Sequence, residues 1–233
     1  MLILCKKRKK GTIIMDWSYL GRELPRYIEA GLVTLKIGFW GILAALITGL
    51  VCCFVLYYKI FIFQNIVKVY VELSRNTPLL IQVFFLYFGL PQVGIKLSGT
   101  ACAIIGLGFL GGSYMAEAFR GGLEAVGNSQ IESGLSIGLD KRQMMQYVIL
   151  PQAISISMPQ VSANFIFLLK ETSILSAIAI PELLNVTQSL IGLYYKTNES
   201  LLLLTISYLI IILPLSIVLG YIERRLRHAE FGN

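Results

Sequence analysis

Four stretches of this sequence, at about residues 31–58, 98–119, 153–180 and 201–221, are apolar over a length close to or above the roughly 20 residues that a helix needs to cross a bilayer. A shorter apolar run covers 79–90. With 56% hydrophobic and only 14% charged residues, the chain is too apolar for a soluble domain of its size. It reads as an all-α polytopic membrane protein with about five transmembrane helices.

The formal net charge of +7 does not point to nucleic acid, because the basic residues gather at the ends of the spans and not along an aromatic-interleaved groove. Lys59, Lys68 and Arg75 fall in or near the first loop, Arg120, Lys141 and Arg142 in the third, and Arg224, Arg225 and Arg227 in the tail. The second loop offers only Lys96 and the fourth Lys196. Basic loops stay in the cytoplasm, so this pattern predicts a multi-pass chain in the cell membrane with its N-terminus outside and its C-terminus cytoplasmic. Residues 1–14 conflict with that topology. Lys6, Lys7, Arg8, Lys9 and Lys10 follow a short apolar start, the reverse of a secretory signal, and such a cluster belongs in the cytoplasm. We treat 1–14 as an unassigned basic leader, an upstream in-frame extension on this reading, and 15–233 as one transmembrane domain that starts functionally at Met15.

The segment 121–151 is hydrophilic between two spans. Ser129 with Glu132, and Asp140 with Gln143, each match the capping-box spacing, in which two side chains satisfy backbone N–H groups at a helix start. Gly138 between them suits the left-handed turn that closes a helix. The spacing predicts two short helices joined by a tight turn, a helix-turn-helix loop on the cytoplasmic side. Ile131 and Leu135, one turn apart, give the first helix an apolar edge free to dock. Gly134 weakens that helix by about 1 kcal/mol relative to Ala, so it needs a partner. Pro151 is expected to stop or kink the chain where apolarity resumes.

Several polar residues fall at membrane depth. The run 79–90 is too short to span, so the second crossing must borrow from VYVELSRNTP, which brings Arg75, Asn76 and Thr77 toward the membrane with a bend at Pro78. Such groups must face protein or water. For Arg75 two readings stand: a snorkelling or structural ion pair, and a place beside a pathway or domain contact. In the fourth span Asn164, Lys170, Glu171 and Thr172 interrupt apolar sequence and are candidates for lining a translocation pathway or its gate. Gly108 and Gly112 in the third span suit close helix packing. The GLGFLG string there lacks the preceding strand that a dinucleotide site requires.

Nothing in the sequence supports catalysis. Ser113 would need a base within hydrogen-bond reach, and the only histidine, His228, lies in the tail. Cys5, Cys52, Cys53 and Cys102 have no metal-site spacing. No Walker A pattern occurs anywhere.

Four stretches in order, RNTPLLIQ (75–82), YMAEAFRGGL (114–123), VILPQA (148–153) and LLKETSILSAI (168–178), together with Glu132, Gly138 and Ile149-Leu150-Pro151 in the polar loop, resemble the EAA-loop permeases of ATP-binding-cassette importers, in the polar amino acid uptake branch. The likeness covers nearly everything after residue 14. Ser133 and Gly134 stand where the family has two alanines, and Asn76 replaces a common Gly. The resemblance implies a permease subunit with no ATPase site and no cofactor of its own. It would pair with a second permease chain, identical or sister, recruit ATPase subunits that hold ATP and magnesium, and receive an amino acid from an extracytoplasmic solute-binding protein. It assigns ATPase coupling to Ser129, Glu132, Gly138, Asp140, Leu150 and Pro151. A secondary amino acid transporter working without an ATPase is the alternative, for which internal repeats are expected; none is visible.

Overall fold

A computed structural model describes residues 15–231, with the side chains of 227–231 left aside; the leader 1–14 and the His228 side chain lie outside what is described. The described residues are helical throughout and contain no strand. They form α1 (Trp17–Tyr57), α2 (Phe61–Arg75), α3 (Leu79–Phe84), α4 (Gly99–Glu124), α5 (Asn128–Ser136), α6 (Lys141–Met144), α7 (Leu150–Glu171), α8 (Leu183–Tyr194) and α9 (Thr197–Phe231).

Four helical stretches are long and apolar enough to cross a membrane: Trp17–Tyr57, Gly99–Glu124, Lys141–Ile178 and Thr197–Leu226. A further crossing is assembled from α2 and α3. Tyr70 and Ser74 of α2 donate hydroxyls to the Phe109 carbonyl of α4 at 2.6 and 3.0 Å, and Val83 of α3 lies against Gly106. The pair therefore runs antiparallel to α4 along its length. The break at 76–78 falls where Pro78 cannot continue α2 and is held by side chains. Asn76 Nδ2 donates to the Glu72 carbonyl at 2.7 Å, and Gln82 Nε2 donates to the Ser74 and Thr77 carbonyls.

The core is the seam between α1 and α4, which run parallel. Gly41 faces Leu107, Gly108 faces Ala44, Gly111 faces Ala45, and Gly49 faces Met115. A Cβ added at Gly108 would meet the Ala44 Cβ at 2.8 Å, and one at Gly111 the Ala45 Cβ at 2.6 Å. The backbones approach because these side chains are absent. Antiparallel α7 closes the core, with Leu168 on Gly111 and Ser157 on Gly122. Outside it, α9 runs parallel to α1, to which Tyr27 Oη is tied by its bond to the Ser200 carbonyl.

Two expectations need correction. The capping box at Ser129 and Glu132 does not form: Gly127, extended at φ −65° and ψ 144°, is the N-cap of α5, and Ser129 lies inside the helix. The chain enters α5 early enough that the spacing falls out of register with the cap. The second box forms as predicted, with Asp140 accepting from the Arg142 and Gln143 amides and Gln143 accepting from the Asp140 amide. Gly138, at φ 84°, makes the turn between them. Pro151 does not stop the chain. It occupies the first turn of α7, and Met145–Ile149 just before it widens into a π-helical turn, which absorbs the missing N–H. Helix α1 begins well before the apolar run, with buried Glu23 paired to Arg22 and Arg26 at 2.9 and 3.1 Å.

At the end opposite the polar loop, between the last two spans, Glu182 is fully buried. It caps α8, accepting from the Leu184 and Asn185 amides at 2.8 and 2.7 Å, with Tyr208 Oη at 3.5 Å. Burial pushes its carboxyl up to about 7, against the pull of those amides.

Two outcomes follow from this packing. Gly111→Leu is expected to lower stability in detergent by about 1–3 kcal/mol through overpacking, whereas Gly192→Leu, in open space, leaves the melting temperature unchanged; thermal melts of both variants check this. The Glu182 carboxyl binds its proton more tightly when folded, so its contribution is present below the ordinary pKa near 4.5 and is lost as pH rises through about 7. Glu182→Gln should therefore flatten the fall in melting temperature between those two pH values.

Candidate coupling surface and polar cleft

The polar loop folds into a hairpin whose short helices hold each other. Gly134 of α5 is buried against Met144, the last residue of α6, and a side chain there would collide with the Met144 thioether. Met144, Val126, Ile149 and Ala153 form a small core at the hairpin's base, with Ile131 and Leu139 packed on it. The glycine that weakens α5 as an isolated helix is thus what lets the hairpin close.

A hollow is left between the hairpin and the end of α1. Ile131, Leu135, Met144, Met145, Ile149 and Leu150, together with Tyr57 and Tyr58 at the end of α1, line a predominantly apolar hollow of about 750 Å³. Leu135, Ile137, Tyr147 and Leu150 are 57, 78, 67 and 45% exposed, a concentration of apolar surface beside charged Lys141 and Arg142. Glu132 and Ser129 lie exposed on α5, and Glu132 forms no ion pair among the described residues. Gly138, Asp140, Leu150 and Pro151 complete this end. The six residues predicted for coupling therefore share one hairpin and its root.

The residues predicted for a pathway divide into two groups. Arg75 lies over the Tyr114 ring at 5.3 Å and reaches Glu117 at 3.7 Å. Glu117 is held by Arg120 at 2.7 Å, which also grips Glu124 at 2.7 Å. Arg75, Tyr114 and Glu117 line a cleft of about 350 Å³ with Ser157 and Gln160 of α7. Gln160 donates to Asn164 Oδ1 at 3.3 Å, and buried Asn164 turns its Nδ2 to the Met115 sulfur at 3.9 Å. Asn76 flanks the same arginine in an adjoining hollow. Arg75 is thus in an ion pair, as one reading expected, and it also borders a polar cleft.

The second group lies elsewhere. Lys170 is exposed, Glu171 half-buried and Thr172 fully buried, its hydroxyl donating to the Leu169 carbonyl at 2.7 Å. They mark the change from α7 to the 3-10 segment Thr172–Ile178, about 9 Å along the helix from Asn164 at 1.5 Å per residue. Thr77 bonds back to the Leu73 carbonyl and borders an apolar groove. Tyr114, Ser157 and Gln160 were not singled out in the sequence, because a tyrosine at the edge of a span and a lone serine or glutamine within one are ordinary there. Their shared cleft appears only when α4 and α7 are set side by side. Among the described residues, no group of three or more His, Cys, Asp or Glu is arranged to hold a metal ion.

Comparison with known proteins places the chain. The sequence pattern of the family described as "Binding-protein-dependent transport system inner membrane component" matches residues 39–228. The glutamine transport system permease protein GlnP of Escherichia coli (strain K12) is 31% identical over 214 residues, covering 91% of this chain and 98% of that protein. The probable amino-acid permease protein YxeN of Bacillus subtilis (strain 168) is 33% identical, covering 90% and 95%. Among solved structures, one described as an amino acid ABC transporter with histidines superposes with a TM-score of 0.85 at 29% identity, covering 91% of this chain and all of that one. The MetNI methionine ABC transporter, in inward-facing conformations, shares the fold at a TM-score of 0.65 and 18% identity.

Proposed function

Given that the chain belongs to the family of binding-protein-dependent transport system inner membrane components, we infer that it is the permease subunit of an ATP-binding-cassette importer for a polar amino acid. It works by alternating access, driven by ATP that separate subunits bind with magnesium and hydrolyse. It is a multi-pass inner membrane protein. The hairpin end faces the cytoplasm, which puts Lys59, Lys68, Arg120, Lys141, Arg142 and Arg224 on the side where basic residues are retained. The N-terminal end of α1 then faces outward, where a solute-binding protein delivers the amino acid. A second permease chain, identical or sister, completes the pathway.

One observation carries this reading: the apolar hollow on an otherwise charged hairpin, with Leu135 and Ile137 more than half exposed. Apolar surface projecting into water from a membrane protein marks a docking site for another protein. The hairpin is rooted in α4 and α7, the two helices that line the polar cleft, so a push on it tilts both. Ser129, Glu132, Gly138, Asp140, Leu150 and Pro151 transmit that movement: the first two as exposed contacts, the next two as the turn, the last two as the root on α7.

Within the membrane, Arg75, Tyr114, Glu117, Gln160 and Asn164 form the polar side of the pathway, with Asn76 and Thr77 at the break that lets α2 and α3 move separately. Lys170, Glu171 and Thr172 act at the far end as part of the outer gate. Both a cation and a carboxylate are present in the cleft, as a zwitterionic amino acid requires for transient pairing in a low-dielectric setting.

Two experiments test these roles. Glu132→Lys and Leu135→Glu in the assembled importer should weaken ATPase recruitment or uncouple hydrolysis from uptake. Unchanged pull-down together with unchanged uptake in vesicles would remove the hairpin from the mechanism. Arg75→Gln, and Lys170→Ala with Glu171→Ala, should cut uptake about ten-fold or more, equivalent to roughly 1.4 kcal/mol on the rate-limiting step, while leaving subunit assembly intact. Full uptake in these variants would return those side chains to a structural role.

A further inference from the structure

A second polar hollow, of about 470 Å³, lies on the other side of the Glu117 and Arg120 pair, between the end of α1, the start of α2 and the end of α4. Apolar Leu56 and Val71 line it together with Lys59, Lys68, Glu72 and Glu124, and with Glu117 and Arg120 themselves. Arg120 already holds both Glu117 and Glu124. Lys59 and Lys68 form no ion pair among the described residues. Lys59 occupies the left-handed turn between α1 and α2, at φ 50°, a conformation disfavoured for a side chain of this kind.

Beside this hollow, α2 exposes a stripe of large apolar side chains. Ile62, Ile66, Val69 and Leu73 are 71, 60, 64 and 56% exposed, and Phe61 at the helix start is 89% exposed. Their spacing of four, three and four places them on one face. The polar positions Gln64, Lys68 and Glu72, each one turn apart, follow a separate line, roughly 130° round the helix from the stripe at 3.6 residues per turn, and border the hollow. A mixed-charge hollow at the end of a transmembrane bundle, on a helix that elsewhere exposes apolar side chains, suits a phospholipid: headgroup in the hollow, acyl chains along the exposed helix.

We propose that this hollow is a specific site for a zwitterionic aminophospholipid, phosphatidylethanolamine in chemical class, with its phosphodiester on Lys59 and Lys68 and its ammonium on Glu72 and Glu124. The charge pattern favours that headgroup. Two cations free of carboxylates suit the phosphate oxygens. The carboxylates that share the hollow, Glu72 one turn beyond Lys68 on α2 and Glu124 on α4, would repel a second anionic group, and they give a primary ammonium its acceptors, which a trimethylated ammonium could not donate to. The bound lipid would brace the α1–α2 turn, and through it the base of the composite crossing. It does not depend on which amino acid is carried, nor on the hairpin's role.

The test uses the assembled importer in nanodiscs of equimolar phosphatidylethanolamine and phosphatidylglycerol, released gently and weighed by native mass spectrometry for retained lipid. Wild type should keep phosphatidylethanolamine. The double reversal Lys59→Glu with Lys68→Glu should lower its retention about ten-fold or more, and Lys59→Arg with Lys68→Arg should keep it, separating lost binding from lost folding. Glu72→Gln with Glu124→Gln should shift retention toward phosphatidylglycerol. Adding inorganic phosphate should leave the lipid in place; displacement would mean that the site takes a free anion. The proposal fails on that result, on equal retention of both lipids by wild type, or on unchanged retention in the reversal. It also fails if the reversal strips the ATPase subunit while the lipid stays.

Discussion

Everything in this fold rests on the near-contact of two backbones, α1 and α4, along a seam of glycine and alanine. Between helices in lipid there is no hydrophobic gain from burying apolar side chains, since the surrounding acyl chains are as apolar as leucine. What remains is dispersion between closely packed atoms, which falls off steeply with distance. Ala44 against Gly108 and Ala45 against Gly111 bring the helices close enough for that term to accumulate. The pair then forms a stiff spine to which α7 can be added on one side and the broken α2–α3 crossing on the other.

The spine also explains why the polar groups sit where they do. Helix α4 carries both a packed face and a charged one. Gly108, Gly111 and Gly112 meet α1, while Tyr114, Glu117 and Arg120 line the hollows shared with α2 and α7. Charges placed on a rigid helix keep fixed positions, whereas Arg75 stands at the last turn of a helix that stops at the next residue. The ion pair between them at 3.7 Å is longer than the 2.7 Å bond that Arg120 makes to the same carboxylate. The Glu117 carboxylate is therefore held more closely within its own helix than to α2.

Much of this was legible in the sequence. Span lengths follow from bilayer thickness, and the break in the second crossing from Pro78 and a run too short to span. The glycines at 108 and 112 announced a close helix contact, and Asp140 with Gln143 a true cap. What could not be read depended on three-dimensional register. Ser129 and Glu132 have the same spacing as that working cap, yet Gly127 occupies the cap position, and nothing local distinguishes the two cases. The early start of α1 was hidden because Arg22, Glu23 and Arg26 end the apolar run without ending the helix; they satisfy one another. Arg75 and Gln160 are far apart in sequence, and their common cleft depends on how α4 and α7 are juxtaposed.

Gly134 shows how a local cost becomes a design requirement. Propensity counts it against α5, by roughly 1 kcal/mol relative to alanine. In the folded chain its missing side chain is the space that Met144 fills, so an alanine there would gain helix propensity and lose the contact that joins α5 to α6. A hairpin whose halves are pinned at that point moves as one piece. Since α6 continues through the π turn at Met145–Ile149 into α7, α5 is joined to the fourth crossing by packed helix and not by a free loop. Pro151 favours this continuity. Placed in the first turn of α7, it gives up one backbone donor at the turn that has already widened, and the helical path from the water-exposed hairpin to Asn164 and the polar cleft remains unbroken.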